Sequence, residues 1–448
     1  MTMRVLLVHP NFPAQFRHVA RALGADSATT VVFATTNPRP DWTIPGVKKA
    51  IFSPVKAKTE AKDGDAHQQA VRRLVTPFRD AAAQGEAMYR LAHRMKRSGF
   101  TPDVIYASSG WGPSLYLKDV WPDTPLMCYF EWFYDPFGED ARFGRKPPPE
   151  KGLAPPQTLR SRNAAIFNDL WACEQGLSPT LWQRSQFPGE YHHKMAVLHD
   201  GVNTNLFRPR PGTPMQLKNC DLSGVREVIT FAGRGMEPYR GFPQFLTALE
   251  MVLRRRPEAH AVIAGADRVC YGTPHPSGKS YKDIMLEELD LPQDRVHFVG
   301  ALPYGEYRRM LAASSVHVYL TRPFVLSWSA IEAMASGCCL VTSDTPPVRE
   351  AMRDGESAQF VDFADPKDIA AGMERVLDDA PYAERLRRGA RETAVSRYSL
   401  EHLLPMHLRL IGNTANRGAV VQGALDGRER ADIEAPERAK APQGKNGR

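Results

Sequence analysis

The chain has 448 residues, 42% of them hydrophobic and 24% charged, with a formal net charge of +8. That length is more than one ordinary core supports, so two domains are expected, and the balance is that of an ordinary soluble globular protein. The positive excess suits anionic partners, but it is spread along the chain without a basic stripe or a recognisable nucleic-acid module, which sets nucleic-acid binding aside.

The apolar run in Met1-Thr-Met-Arg-Val-Leu-Leu-Val-His9 is too short for a signal-peptide core and reads as a first strand. A helix pattern follows from Pro13 to Leu23, with apolar residues at Phe16, Val19, Ala20 and Leu23. Next come a strand at Thr30 to Ala34, a long helix pattern around Gln68 to Lys96, and strands at Val104 to Ala107 and Leu126 to Phe130. Strands alternating with helices predict parallel βαβ units with both sheet faces covered. The Pro-rich stretch Phe207-Arg-Pro-Arg-Pro-Gly-Thr-Pro214 breaks this rhythm and reads as a linker.

A second alternation begins with a strand at Val228 to Phe231 and a helix from Phe242 to Arg254. Strands at Ala261 to Ala264, Val296 to Val299 and Val316 to Leu320 follow, then a helix around Pro366 to Leu377. Beyond the helix pattern Leu400 to Leu410, the tail from Asn413 has almost no large apolar residues. It cannot offset its ordering entropy, so disorder is expected there. No stretch approaches 18 apolar residues, so no spanning helix is expected, while peripheral membrane contact stays open. The cysteines (128, 173, 220, 270, 338 and 339) lack metal-ligand spacing and read as reduced core thiols of a cytosolic protein.

Ligands of open α/β sheets bind at the carboxyl ends of strands, so the residues after each expected strand are the place to look. Arg322-Pro-Phe-Val-Leu-Ser-Trp-Ser-Ala-Ile-Glu-Ala-Met-Ala-Ser-Gly337 is a turn, a short helix and a closing glycine. Its helix start offers unpaired N–H groups to an anion, and Glu332, one turn in, can accept from a sugar hydroxyl. After Val228-Ile-Thr-Phe231 comes Ala-Gly-Arg-Gly-Met-Glu-Pro-Tyr-Arg-Gly241, where glycines admit a ligand and Arg234 and Arg240 bring two cations suited to a diphosphate. Gly265-Ala-Asp267 and Gly300-Ala-Leu-Pro303 are further edges for a nucleotide-base pocket. Asp63-Gly-Asp65 resembles an Asp-x-Asp metal motif, but no strand precedes it and Lys58 and Lys62 are close, so no metal is assigned.

In this order the pieces resemble family 4 of the retaining glycosyltransferases, which have the GT-B fold. They are Val197-Leu-His-Asp-Gly-Val-Asn203, Gly233-Arg234 through Arg240-Gly241, Arg295-Val-His-Phe-Val-Gly300 and Ile331-Glu-Ala-Met-Ala-Ser-Gly337. The resemblance implies an α/β chain of two Rossmann-like doubly wound domains facing across a cleft, with a C-terminal helix crossing back to the first. The implied division is 1–207, a linker at 208–222, a nucleotide-sugar domain at 223–392, the crossing helix at 393–412 and a disordered tail at 413–448.

The implied reaction is retaining transfer of a sugar from a nucleotide-diphospho-sugar to an acceptor hydroxyl, without metal or cofactor. The resemblance gives the donor diphosphate to Arg234 and Arg240, phosphate to the backbone of Leu326 and Ser327, ribose to Glu332, and pocket edges to Gly233, Gly300 and Leu302. The family usually has a second glutamate, near the donor sugar, where Phe324 stands, and a glycine where Ser327 stands. On the acceptor side, Asn11, Gln15, Trp111 and Trp132 are candidates, and Glu131 is the expected polar or catalytic contact. The acceptor class extends over glycans, lipid-linked acceptors and small molecules, and the expected location is cytoplasmic, with peripheral contact at the inner membrane face. Phe324 also keeps two other readings in view: a catalytically impaired nucleotide-sugar-binding partner subunit, and a GT-B nucleotide-sugar epimerase.

Overall fold

The computed structural model describes residues 2–55, 65–143 and 156–425. Asp63 lies outside the described residues; Asp65 caps a helix by accepting the N–H of Gln68 at 2.8 Å. The chain forms two compact units, one holding everything to Phe207 together with the described residues from Ala394 on, the other Arg208–Thr393.

Unit 1 begins with β1 (Met3–Val8), α1 (Arg17–Ala25), β2 (Thr29–Thr35), β3 (Val47–Ile51), α2 (Ala66–Arg97), β4 (Val104–Ser108) and β5 (Leu126–Tyr129). It continues through α3 (Pro156–Arg162), α4 (Ala164–Ala172), β6 (Gln175–Ser178) and β7 (Met195–Val197). Val5, Leu6, Leu7 and Val8 are all buried because the parallel sheet is covered on both faces, which is why β1 reads as an unbroken apolar run. Val5 and Leu7 pack with Phe16, Val19 and Leu23 ahead of and along α1, whereas Leu6 and Val8 pack with Met88 and Leu91 of α2.

Unit 2 carries β8 (Gln216–Leu217), β9 (Cys220–Asp221), β10 (Val228–Gly235), α5 (Phe242–Arg255), β11 (His260–Ala266), β12 (Val296–Gly300) and α6 (Tyr304–Ala313). Then come β13 (Val316–Tyr319), α7 (Trp328–Ala335), β14 (Leu340–Ser343), β15 (Gln359–Val361) and α8 (Pro366–Asp378). Residues 208–222, read from the sequence as a linker, carry the antiparallel β8–β9 ribbon. Met215, Leu217, Cys220 and Leu222 are buried there, so the segment contributes apolar anchors that its prolines obscure.

The chain returns to unit 1 with α9 (Leu400–Ala415) and β16 (Gly423–Ala424). Leu403, Leu410 and Ile411 of α9 join the cluster built around Val5 and Leu7. The tail expected to be disordered from 413 is therefore ordered through residue 425. Its backbone supplies what its side chains cannot: β16 pairs in parallel with β7, and the buried Gln175 amide bonds both the N–H and the C=O of Val421. Residues 426–448 lie outside the described residues.

Both sheets are parallel, with orders β16-β7-β6-β5-β4-β1-β2-β3 and β12-β11-β10-β13-β14-β15. Strand order reverses between β1 and β4 in the first and between β10 and β13 in the second, the doubly wound topology whose ligands bind beyond the carboxyl ends at the reversal.

Candidate functional site

The reversal in unit 2 brings together the loops after β10 and β13. Arg234 ends β10 exposed to solvent, whereas Arg240 is 6% exposed on a short 3-10 turn that opens at Pro238. The Arg240 Nη1 donates to the Tyr319 hydroxyl at 3.1 Å, to Thr321 Oγ1 at 2.7 Å and to the Val325 carbonyl at 3.1 Å. One guanidinium thus ties the end of β13 to the turn before α7. Gly241 follows at φ +64, and a Cβ there would meet the Leu320 side chain at 2.6 Å, so conformation and space both require glycine.

Glu237, not singled out in the sequence, is fully buried and accepts the N–H groups of Cys270, Tyr271 and Gly272 at 2.7–3.1 Å. It fixes the loop after β11 against the loop after β10. An acidic residue two positions after Gly-Arg-Gly is the only sequence signal it gives.

α7 starts at Ser327, whose Oγ accepts the Ser329 N–H at 3.3 Å and whose own N–H donates to the Tyr319 hydroxyl at 2.9 Å. That hydroxyl therefore accepts from both Arg240 and Ser327, setting the helix start against the cation. The Ser327 N–H, expected for phosphate, is occupied in this arrangement; Leu326 beside it is buried. Glu332 is 9% exposed, and its Oε1 accepts from the Tyr304 hydroxyl of α6 at 2.7 Å. Gly300 ends β12 at φ +67 with open space around it, and Leu302 is half-buried just before α6, so both reach the carboxyl edge that carries Tyr304. Gly233 lies under the β10 end, where its carbonyl would lie 2.4 Å from a Cβ on Gly265 of β11.

Unit 1 has its own reversal, between the ends of β1 and β4. His9, at the end of β1, is buried and accepts the Asn11 N–H on Nδ1 at 2.8 Å; burial holds its pKa down at about 4, so it is neutral. Gln15 and Glu131 meet, with Gln15 Nε2 donating to Glu131 Oε2 at 3.3 Å, and Gln183 Nε2 holds the Glu131 carbonyl at 2.7 Å. Asn11 is exposed beside them in sequence. The two tryptophans differ: Trp111 is 50% exposed on the loop after β4, whereas Trp132 is 8% exposed and packs inward. The Trp111 loop is held by Asp169 of α4, which accepts from Ser109 Oγ at 2.8 Å and from the Gly110 N–H at 3.1 Å. Burial raises the Asp169 pKa to about 6. Among the described residues, no group of three or more His, Cys, Asp or Glu side chains is arranged to hold a metal ion. Cys128, Cys173, Cys220, Cys338 and Cys339 are buried thiols, and Cys270 is partly buried.

Two doubly wound sheets, each with its polar loops at the strand reversal, define a chain of the GT-B glycosyltransferase architecture. Solved structures agree on the fold: sucrose-phosphate synthase from Thermosynechococcus elongatus aligns with a TM-score of 0.69 at 15% identity, over 93% of this chain and 100% of the other. Anabaena HepE in complex with UDP aligns at 0.64 and 14% identity, over 92% of this chain and 100% of its own. Residues 27–207 match the glycosyl transferase family 4 group, and residues 221–393 match the glycosyl transferases group 1. The protein belongs to the family 4, group 1 glycosyltransferases. Among curated relatives, the D-inositol 3-phosphate glycosyltransferase of Thermobispora bispora is 27% identical over 206 residues, 45% of this chain and 47% of the relative. The chain thus spans about half the length of the curated relatives it matches.

Proposed function

We propose that this protein moves a hexose from a nucleotide-diphospho-sugar to an acceptor hydroxyl, with retention and without a metal. The observation that carries the reading is the coupling of Arg240, Tyr319 and Ser327 at the unit 2 strand reversal, with the Glu332 carboxylate one turn further along α7. Negative charge grows on the departing diphosphate as the sugar–phosphate bond breaks. Arg234, exposed at the end of β10, and the buried Arg240 are the cations assigned to it. Glu332 is assigned to ribose hydroxyls, exchanging the Tyr304 hydroxyl it now accepts from. In unit 1, Glu131 with Gln15, Asn11 and Trp111 is assigned to the acceptor. HepE was solved with UDP, which makes UDP the first nucleotide to try.

The test is a thermal-shift screen of UDP, GDP, ADP and dTDP, followed by their sugars with acceptors supplied. One nucleotide should raise the melting temperature, and Glu332→Ala should weaken its binding by roughly 10- to 100-fold, the scale of a lost hydrogen bond to a charged group. No shift with any nucleotide sinks the reading. Binding with no transfer to any acceptor points to a partner subunit instead, and nucleotide release without an acceptor points to an epimerase.

A cytoplasmic location with peripheral contact at an anionic membrane is part of the same proposal, and α2 supports it. Among the described residues no helix is long and apolar enough to cross a membrane. Yet Val71, Leu74, Val75 and Phe78 recur at helical spacing along a part of α2 in which no residue before Ala81 is buried, with Arg72, Arg73 and Arg79 beside them. On α4, which packs against α2, Trp171 is 78% exposed and Phe167 42%. Vesicles of phosphatidylcholine with phosphatidylglycerol should sediment the protein, and vesicles without the anionic lipid should not. Val75→Glu with Phe78→Glu should cut binding by about tenfold or more; equal sedimentation of variant and parent removes α2 from the contact.

A further inference from the structure

One aromatic cluster of unit 2 carries none of the roles assigned above to the nucleotide. Phe324 lies edge-on to Tyr239, with ring centroids 5.3 Å apart and planes at 84°, and tilted against Tyr271 at 5.4 Å. Tyr239 and Tyr271 are 6.3 Å apart, and all three rings are partly open to solvent. Guanidinium groups back the cluster, Arg240 at 5.2 Å over Tyr271 and Arg322 at 5.2 Å over Tyr239. Glu237, the nearby carboxylate, has both oxygens occupied by the backbone N–H groups of residues 270–272.

Covalent order places this cluster along a ligand. Ribose, diphosphate and sugar follow one another in a donor, and Glu332, the Ser327 helix start and the 322–325 turn follow one another along the chain. With ribose at Glu332 and diphosphate at Arg240 beside the start of α7, the sugar is carried to the 322–325 turn. Arg240 itself holds the Val325 carbonyl at 3.1 Å, so the diphosphate cation and the turn move as one piece.

We propose that Tyr239, Tyr271 and Phe324 form the donor-sugar subsite, and that it selects a sugar bearing a methyl group, N-acetylated or 6-deoxy, over the parent hexose. The proposal rests on the nucleotide-sugar reading above. A subsite lined by a carboxylate holds hydroxyls by accepting from them. The surface that the three rings leave open instead buries C–H and methyl groups, and a sugar hydroxyl pressed against it away from the two tyrosine hydroxyls gives up water without a replacement. The two effects act in the same direction and favour the methyl-bearing sugar by about tenfold in affinity.

Matched pairs test this by titration calorimetry: UDP-glucose with UDP-N-acetylglucosamine, GDP-mannose with GDP-6-deoxymannose, ADP-glucose with ADP-6-deoxyglucose, and dTDP-glucose with dTDP-6-deoxyglucose, beside each bare diphosphate. On the nucleotide that binds, the methyl-bearing sugar should bind about tenfold tighter in the native protein, and Phe324→Glu should reverse the preference while leaving the bare diphosphate's affinity unchanged. Should Phe324→Glu not fold, Phe324→Leu should reduce the discrimination to within about twofold. A bare diphosphate that binds with no methyl preference overturns the subsite alone. An unchanged preference in Phe324→Glu or Phe324→Leu does the same, and failure of every bare diphosphate to bind overturns the nucleotide reading and the subsite with it.

Discussion

Arg234→Ala is expected to lower turnover by about 10²–10³ while leaving the melting temperature where it was, the cost seen when one preorganised donor to a developing charge is removed. The side chain is exposed at the end of β10, so its loss disturbs little of the core. Arg240→Ala is expected to behave differently, although the sequence presents the two arginines as equals. Truncation there leaves Thr321 Oγ1 and the Val325 carbonyl without this donor, and the Tyr319 hydroxyl with only the Ser327 N–H, in a region where Arg240 is almost wholly buried. Each orphaned group costs about 1–3 kcal/mol. Arg240→Ala should therefore lose turnover and also melt several degrees lower, and Arg240→Lys should not rescue it, because one ammonium on a flexible stem does not reproduce the planar fork. Turnover of Arg234→Ala within a few-fold of the parent removes that residue from the diphosphate. An unchanged melting temperature for Arg240→Ala denies it the scaffolding role.

What the sequence makes legible follows from which interactions are local. The strands β1, β4, β10 and β13 read as short apolar runs because both faces of a parallel sheet are buried, and their order with the intervening helices fixes the alternation. Loops at their carboxyl ends then point to Arg234, Arg240, Ser327 and Glu332 without any coordinates. Tertiary pairings give no such signal. Glu237 owes its importance to a loop more than 30 residues further along the chain, and Tyr304 reaches Glu332 from a different helix. Trp132 reads like an acceptor-side ring because aromatic residues beside Glu131 suit a sugar, but burial in the fold decides its place. The ordered tail is missed for a related reason: β16 is held through backbone hydrogen bonds and the Gln175 amide, which composition does not register. Phe324 is visible in the sequence only as a departure, and its meaning comes from Tyr239 and Tyr271, which no spacing rule connects to it.

Acid should destabilise this protein well before its ordinary carboxylates titrate. Burial holds His9, His18, His317 and His407 at about 4, against an unperturbed 6.5. Their neutral forms fit specific partners: His407 Nε2 bonds the His199 carbonyl and His317 Nδ1 bonds Thr230 Oγ1, while the second ring nitrogen of each is buried without a partner that could accept a new proton's hydrogen bond. Because the folded pKa lies below the unfolded one, this stability is present above pH 6.5 and is lost as pH falls towards 4, at about 3 kcal/mol per group. Asp169 acts in the opposite sense. Its pKa is raised from 3.8 to about 6, so its contribution is present at low pH and lost as pH rises through 6, again about 3 kcal/mol. In unit 1, His9, His18 and His407 against Asp169 leave a net loss on acidification of about 6 kcal/mol, and His317 adds a loss of about 3 kcal/mol in unit 2, enough to unfold a chain of ordinary stability. Of the seven tryptophans only Trp328 lies in unit 2, so tryptophan fluorescence follows unit 1 while far-ultraviolet ellipticity follows both. The fluorescence transition should fall between pH 6 and 4, and Asp169→Asn, neutral at every pH like the protonated acid, should be more stable than the parent above pH 6 by up to about 3 kcal/mol while differing little from it near pH 4. A protein whose fluorescence holds steady to pH 4, or an Asp169→Asn variant no more stable than the parent at pH 8, would show that these buried groups do not control the balance.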